Sequence, residues 1–276
     1  MRLLLFGKLP QVKLQSYRPK KQNSVRRNKL YRFRVAHRSR FIKNVHRAVS
    51  RAMHQYDMLA DGDRVAVGLS GGKDSLALLD LLAVRREYAP IDYQLEPVYI
   101  DPGFPGGFSD QLKAHCDARG LPFHVHRTDH GILAHRPENQ ASACFLCARL
   151  RRKALFEHCR DAGCNKLALG HHKDDIIETF FLNLCYAGHI STMVPSQTLF
   201  DGALTVIRPL AFLDESAIET YSRQQAFPIC ENPCPSAGRS KRQEIKALLS
   251  ELYAKSPHVK GNIFHSLQHV RSDYLL

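Results

Sequence analysis

No acidic residue precedes Asp57 in this chain of 276 residues, whereas sixteen of its forty lysines and arginines do. Beyond that point basic and acidic residues nearly cancel, so the formal charge of +14 resides in the first fifth of the chain. A localised basic block is the electrostatic footprint of a polyanion partner, because each phosphate it neutralises releases counterions. A solubilising tail or a transit peptide carries the same composition. Also missing is any run of about 18 apolar residues, which excludes a membrane-spanning helix and a membrane partner of that kind. No self-similarity at a period of about 20 to 50 residues is present, which excludes solenoids and propellers. The start, MRLLLF, has neither the length nor the small-residue cleavage site of a signal peptide. The eight cysteines are too scattered for a secreted disulfide framework. A reducing, cytoplasmic compartment is expected, in which grouped cysteines point to metal or redox chemistry.

What is present reads as alternation. Residues 1–40 show no hydrophobic period and read as a flexible basic arm. Phe41, Val45, Ala48, Val49, Ala52, Met53 and Tyr56 recur at helical spacing, which predicts an amphipathic helix within 41–60. Strand-like runs follow at Val65–Leu69, Leu95–Ile100, Phe123–His126, Lys166–Leu169 and Leu204–Ile207. Helical patterns lie at Leu76–Val84 and at about 108–119, 145–161, 174–186, 213–225 and 240–254. Strands alternating with helices predict an α/β fold, a doubly wound and mainly parallel sheet with helices on both faces. The main domain is placed at 61–240, followed by a C-terminal helix and tail at 241–276.

One turn in this pattern carries chemistry. The segment Arg64-Val-Ala-Val-Gly-Leu-Ser-Gly-Gly-Lys-Asp-Ser75 is strand, turn and helix start in a single line. Gly71 and Gly72 permit unusual backbone angles and close approach of a ligand. The N–H groups at the helix start form an anion site, to which Ser70 and Ser75 add hydroxyls and Lys73 a point charge. An ordinary βα turn with Asp74 as helix cap would use the same residues. The spacing is not that of a Walker loop, which needs four residues between its first glycine and Gly-Lys-Ser/Thr.

Cys144-Phe-Leu-Cys147 opens a helical pattern, and Cys234 follows far downstream in Cys230-Glu-Asn-Pro-Cys234-Pro-Ser. A lone C-x-x-C suits a redox pair, a metal site or two incidental thiols. A closed four-ligand zinc site lacks its second cysteine pair. Cys116, Cys159, Cys164 and Cys185 read as small core residues, and Cys230 stays open as an alternative ligand to Cys234.

The string Ser70-Gly-Gly-Lys-Asp-Ser75 resembles the pyrophosphate loop of the PP-loop ATPases, which adenylate a carbonyl oxygen. More closely, the chain from about Phe41 to Ala247 resembles the tRNA 2-thiocytidine synthetases. The resemblance is carried by Phe41–Tyr56 with Gly62-Asp-Arg-Val65, by the loop, and by Asp101-Pro-Gly-Phe-Pro105. Further carriers are Cys144-Phe-Leu-Cys147-Ala-Arg-Leu-Arg-Arg152, Leu169-Gly-His-His-Lys-Asp-Asp-Ile176 with Phe181-Leu-Asn183, Ile207-Arg-Pro-Leu-Ala211, and Phe227-Pro-Ile229 leading to Cys234.

That resemblance implies an ATP-dependent transfer of sulfur to a cytidine, at position 32 of a tRNA anticodon loop. It implies ATP, Mg²⁺ and a [4Fe-4S] cluster as cofactors, and a sulfur donor such as a cysteine desulfurase as partner; homodimerisation stays open. Carried over by residue, Ser70, Gly71, Gly72, Lys73, Asp74, Ser75 and Gly170 hold the nucleotide. Cys144, Cys147 and Cys234 hold the cluster, Asp174 and Asp175 hold Mg²⁺, and Lys73, Cys144 and Cys147 are the catalytic residues. The family pattern of two cysteines two apart followed by Gly-Ser is replaced here by Cys230-Glu-Asn-Pro-Cys234-Pro-Ser. Zinc-binding cysteines near the N-terminus, as in the related two-thiouridine enzymes, are absent before Cys116. His171 and His172 read equally as helix-start packing and as site residues. Arg149, Arg151 and Arg152 read equally as RNA-backbone contacts and as a solvated helix face.

Overall fold

The computed structural model describes residues 39–231, 233–236 and 241–274, so the basic arm before Ser39 lies outside the described residues. The chain opens on helix α1 (Arg40–Gln55), where the Ser39 hydroxyl accepts from the Ile42 N–H at 3.3 Å. Such a bond satisfies a donor that the first helical turn leaves unpaired. Strand β1 (Arg64–Leu69), helix α2 (Lys73–Arg86), strand β2 (Gln94–Asp101), helix α3 (Ser109–Asp117) and strand β3 (His124–Arg127) build one half of the fold. A short helix α4 (His130–Ala134) leads through a single-turn segment to the long helix α5 (Ala143–Asp161). The second half runs through strand β4 (Lys166–Ala168), helix α6 (Lys173–Leu182), an edge strand β5 (Ser196–Leu199), strand β6 (Leu204–Ile207) and helix α7 (Glu215–Gln224). Helices α8 (Lys241–Lys255) and α9 (Val259–Ser266) close the chain.

The six strands lie in the order β3-β2-β1-β4-β6-β5. All neighbouring pairs are parallel except β5 with β6. Strand alternation sorts the core. Val65, Val67, Leu69, Leu95 and Tyr99 join α1, α2 and α7 on one face, while Ala66, Val98 and Ile100 meet Leu155, Cys159 and Cys164 on the other. A smaller cluster of Ile177, Ile245 and Leu249 ties α6 to α8. The expected doubly wound, mainly parallel sheet is therefore observed. No described helix is long and apolar enough to cross a membrane.

The sequence pattern misses α4, β5 and α9, and helix 174–186 stops at Leu182. There the backbone widens into a π-turn, Asn183–Ala187, ended by left-handed Gly188 (φ +67°). That turn corrects the reading of Cys185 as a core residue, since it leaves Cys185 exposed; Cys116, Cys159 and Cys164 are buried as expected.

Under the edge strand β3, His158 of α5 is buried with its Nδ1 2.9 Å from His126 Nε2. Burial, joined by the neighbouring His124 and His126, lowers its pKa from 6.5 to about 4. The unfolded chain thus takes up a proton there at a pH where the folded chain does not. That contribution to stability is full above pH 6.5 and is lost as the pH falls toward 4. Urea unfolding of His158→Asn at a series of pH values should show a flatter slope across this window; an unchanged slope would assign the acid sensitivity elsewhere.

Candidate functional site

The strand order places a switch between β1 and β4. From β1 the chain winds outward through β2 and β3, then returns to the opposite side of β1. Crevices at the carboxyl ends of strands flanking such a switch are the usual ligand sites of open α/β sheets. Here the crevice is a cleft of ≈ 280 Å³ lined by Ser70, Asp74 and Ser75 after β1, by Gly170, His171 and Asp175 after β4, and by Arg151 and Leu155 of α5.

The loop after β1 is held by its own serines. Ser75 Oγ accepts from the Ser70 N–H at 3.1 Å, lies 3.2 Å from Ser70 Oγ and donates to the Gly72 carbonyl at 3.0 Å. Gly71 sits at φ +76°, and a Cβ there would come within 2.4 Å of the Phe108 ring. Across the cleft, a Cβ on Gly170 would meet the Asp74 and Ser75 backbone at 3.0–3.1 Å, so the two loops touch through glycine.

Lys73 Nζ lies 3.1 Å from Glu215, 3.5 Å from Asp74 and 4.0 Å from Glu219. Burial opposes its charge, but these acids hold its pKa above the usual lysine value. Glu215 in turn is held down at about 2: burial is outweighed by its bonds to Lys246 and Lys73. Asp74 moves the other way, its pKa raised by burial against the pull of Lys73. One of its oxygens, Oδ1, is buried without a hydrogen bond.

The two carboxylates that open α6 part company. Asp174 Oδ2 accepts from the Glu215 N–H and Oδ1 pairs with Lys260, so both oxygens are engaged away from the cleft. Asp175 lines the cleft, accepts from the His172 N–H at 3.0 Å and stands 3.5 Å from Arg242. His172 caps α6, whereas His171 faces the cleft.

Cys144 and Cys147 stand on the first turn of α5, followed by Arg151 and Leu155 at successive helical turns, so one face carries the thiols at its start and the cleft wall farther along. The Cys147 thiol is pushed up by burial, with Cys234 and Cys144 adding to the shift and Arg151 opposing it. Cys147 thus lies within electrostatic reach of both Cys144 and Cys234. Cys234 Sγ is 3.6 Å from His135 Nε2. His135 is fixed in turn by the Gly131 carbonyl at 2.8 Å and by Phe104 of the Asp101–Pro105 segment, its ring centre 5.4 Å away. Cys230 is turned elsewhere: its thiol meets Gln111 at 3.1 Å, and its N–H donates to the Gly71 carbonyl. None of the eight cysteines is in a disulfide. Among the described residues no three His, Cys, Asp or Glu side chains converge on a point for one ion. Cys144 is exposed and Cys147 and Cys234 are half-buried, and thiolates of this kind are the ligands that iron–sulfur clusters take, spread over several irons.

Glu215, Lys246, His135 and Arg208 belong to these surroundings and are not among the sequence candidates. Their contacts span the fold: Glu215 meets Lys73 from 142 positions away, Lys246 holds Glu215, His135 meets Cys234 and Arg208 holds the Val194 carbonyl, and of the four only Arg208 lies in a string that the sequence singles out.

Residues 40–252 match the PP-loop domain family. A tRNA-cytidine(32) 2-sulfurtransferase of Geotalea daltonii is 40% identical over 238 residues, which cover 85% of this chain and 94% of that protein. The enzyme of the same name from Geobacter sulfurreducens is 40% identical over 237 residues, covering 85% and 92%. Among solved structures, the U34-tRNA thiolase NcsA from Methanococcus maripaludis with its [4Fe-4S] cluster superposes with a TM-score of 0.68 at 25% identity, covering 83% of this chain and 78% of that one. With its phosphate-type loop at the sheet's switch point and the Cys144–Cys147 pair on the adjoining helix, the chain belongs to the PP-loop family of tRNA-cytidine(32) 2-sulfurtransferases.

Proposed function

We propose that this protein is an ATP-dependent tRNA sulfurtransferase that converts cytidine 32 of the anticodon loop to 2-thiocytidine. The observation that carries the reading is the shared face of α5, with Cys144 and Cys147 at its start and Arg151 in the wall of the cleft behind Ser70–Ser75. Activation and sulfur delivery then act on a base held between them.

In the first stage O2 of the cytidine attacks the α-phosphate of ATP, forming an O–P bond and releasing pyrophosphate. The backbone amides of Gly71 and Gly72, the Ser70 and Ser75 hydroxyls and Lys73 hold the phosphates as charge shifts toward the leaving group. Lys73 stays protonated at neutral pH beside Glu215, which keeps it available as a fixed positive charge. Asp74, whose buried Oδ1 faces Lys73 without a hydrogen bond, and Asp175 are the carboxylates that would hold Mg²⁺. Asp174 serves instead as an anchor for α7 and Lys260.

In the second stage sulfide attacks C2, and the oxygen leaves with AMP; sulfur drawn from a donor such as a cysteine desulfurase arrives as a persulfide, which a thiol must first reduce to sulfide, itself becoming a disulfide. Cys144, Cys147 and Cys234 would hold a [4Fe-4S] cluster, which with three protein ligands supplies a coordination position open to external sulfur. His135 orients Cys234 for that role. The anticodon loop presents unstacked bases, and Arg149 and Arg152, exposed on α5, suit its backbone. The basic arm would add contacts of the same kind.

Incubation of anaerobically purified protein with unmodified tRNA, ATP, Mg²⁺ and sulfide tests this directly. Nucleoside mass spectrometry should find 2-thiocytidine, with AMP and pyrophosphate formed in equal amounts. ADP and phosphate as products would overturn adenylation, and 2-thiouridine would overturn the choice of base.

A further inference from the structure

Arg208 leaves the sheet directly after β6 and is only 7% exposed. Its Nη1 donates to the Val194 carbonyl, and its Nε is buried with no hydrogen-bond acceptor. Its one resolved charged neighbour is Arg152, and burial followed by that like charge brings its pKa down to about 10, so it remains a cation at neutral pH. A buried cation without a counter-charge is strongly unfavourable, and an anionic ligand would remove that cost by completing the pair.

The second observation is independent. His171 leaves the sheet after β4, beside Arg208, because the Leu169 N–H donates to the Ile207 carbonyl at 3.0 Å and holds the two exits together. His171 Nδ1 is also buried without a partner. Of the charges around His171, Arg208, Arg242 and Arg152 are positive and Asp175 alone is negative; burial with this excess lowers its pKa to about 4. The carboxylate is itself drawn to Arg242 and the His172 N–H. Two buried nitrogens with no hydrogen-bond partner therefore stand at the neighbouring exits of β4 and β6, in a field short of negative charge.

We propose that Arg208 and His171 form an anion site for one phosphoryl group of a bound substrate, across the cleft from the Ser70–Ser75 loop, where the exits of β4 and β6 meet. The proposal rests on the function argued above only in taking the substrates to be phosphate-bearing. The phosphoryl group has two sources, the α-phosphate of the nucleotide or a backbone phosphate of the RNA beside the target base. Arg208 offers a bidentate fork to either.

The test compares wild type with Arg208→Met, Arg208→Lys and His171→Asn in three measurements. These are thermal unfolding without ligand, affinity for a non-hydrolysable ATP analogue, and affinity for unmodified tRNA without nucleotide. Arg208→Met should unfold at the same temperature as wild type or higher, because an uncompensated charge is removed. Its affinity should fall about tenfold or more in one arm, with partial recovery in Arg208→Lys and a smaller loss in His171→Asn. Loss in the first arm identifies the nucleotide phosphate, and loss in the second the RNA backbone. Unchanged affinity in both arms overturns the site and leaves Arg208 as a strut for the Val194 carbonyl, as would a lowered melting temperature with full affinity. Neither arm involves sulfur transfer, so a wild-type protein that fails to thiolate would sink the proposed function without deciding this one.

Discussion

Cys147→Ala is expected to reduce 2-thiocytidine formation by about 100-fold or more while leaving ATP affinity within about twofold of wild type. The separation follows from where the residue stands. Cys147 lies one helical turn before Arg151 and two before Leu155, and only those two reach the nucleotide cleft. Its own neighbours are the thiols of Cys144 and Cys234. On the proposed function, removing one ligand of three would leave a cluster with two, whereas the loop after β1 loses no contact. The substitution should also be mild for the fold, because the thiol is only half-buried and sits on the first turn of α5. Tandem measurement of iron and acid-labile sulfide in the anaerobic protein, of 2-thiocytidine in cellular tRNA, and of nucleotide affinity by calorimetry separates these effects. Cys234→Ala should behave in the same way and Cys230→Ala should not, since the Cys230 thiol bonds to Gln111. A Cys147→Ala protein that still thiolates tRNA would remove the cluster from the mechanism.

Contrasts of this kind show where the sequence is legible. The Ser70–Ser75 loop and the Cys144–Cys147 pair are contiguous strings that can be picked out by eye, although the pair takes a role only from the family resemblance and not from its spacing. The alternation of β1, β2, β4 and β6 with helices is equally visible, because each strand is a short apolar run buried on both faces. The choice between Cys230 and Cys234 is different. Spacing leaves both open, and the contact of the Cys230 backbone with the Gly71 carbonyl is what turns its thiol aside. Asp174 and Asp175 are adjacent and chemically identical, yet Lys260 and the Glu215 N–H, both distant in sequence, draw one of them out of the cleft. The edge strand Ser196-Gln-Thr-Leu199 escapes notice because a strand paired on one side and mostly solvated has no apolar signature. Arg208 reads as one more basic residue until its burial and missing partner are seen.

Gly71→Ala should lower nucleotide affinity by about 100-fold, with Gly72→Ala as its internal contrast. At Gly71 the backbone is left-handed, φ +76°, a conformation that costs an L side chain about 1–2 kcal/mol. The added Cβ would also fall 2.4 Å from Phe108 Cε2 and 2.8 Å from Cζ. That ring cannot swing away cheaply: Phe108 is buried and packs against Tyr99 at 5.1 Å between ring centres. Overpacking of this kind adds about 1–3 kcal/mol. The loop therefore shifts rather than the core, and the amides that face the phosphates shift with it. The Gly71 carbonyl also receives the Cys230 N–H at 3.0 Å, so the same movement loosens the segment leading to Cys234. Gly72 lacks both constraints, since its φ is −79° and a Cβ there would come no nearer than 3.4 Å to Ser70 Oγ. In Gly72→Ala the ligand-free loop should keep its shape. Any loss of affinity in that variant then reports how closely a phosphate approaches the backbone at this point. Calorimetric titration with a non-hydrolysable ATP analogue, paired with thermal unfolding, reads both variants. Wild-type affinity in Gly71→Ala would mean that the phosphates do not lie against this turn.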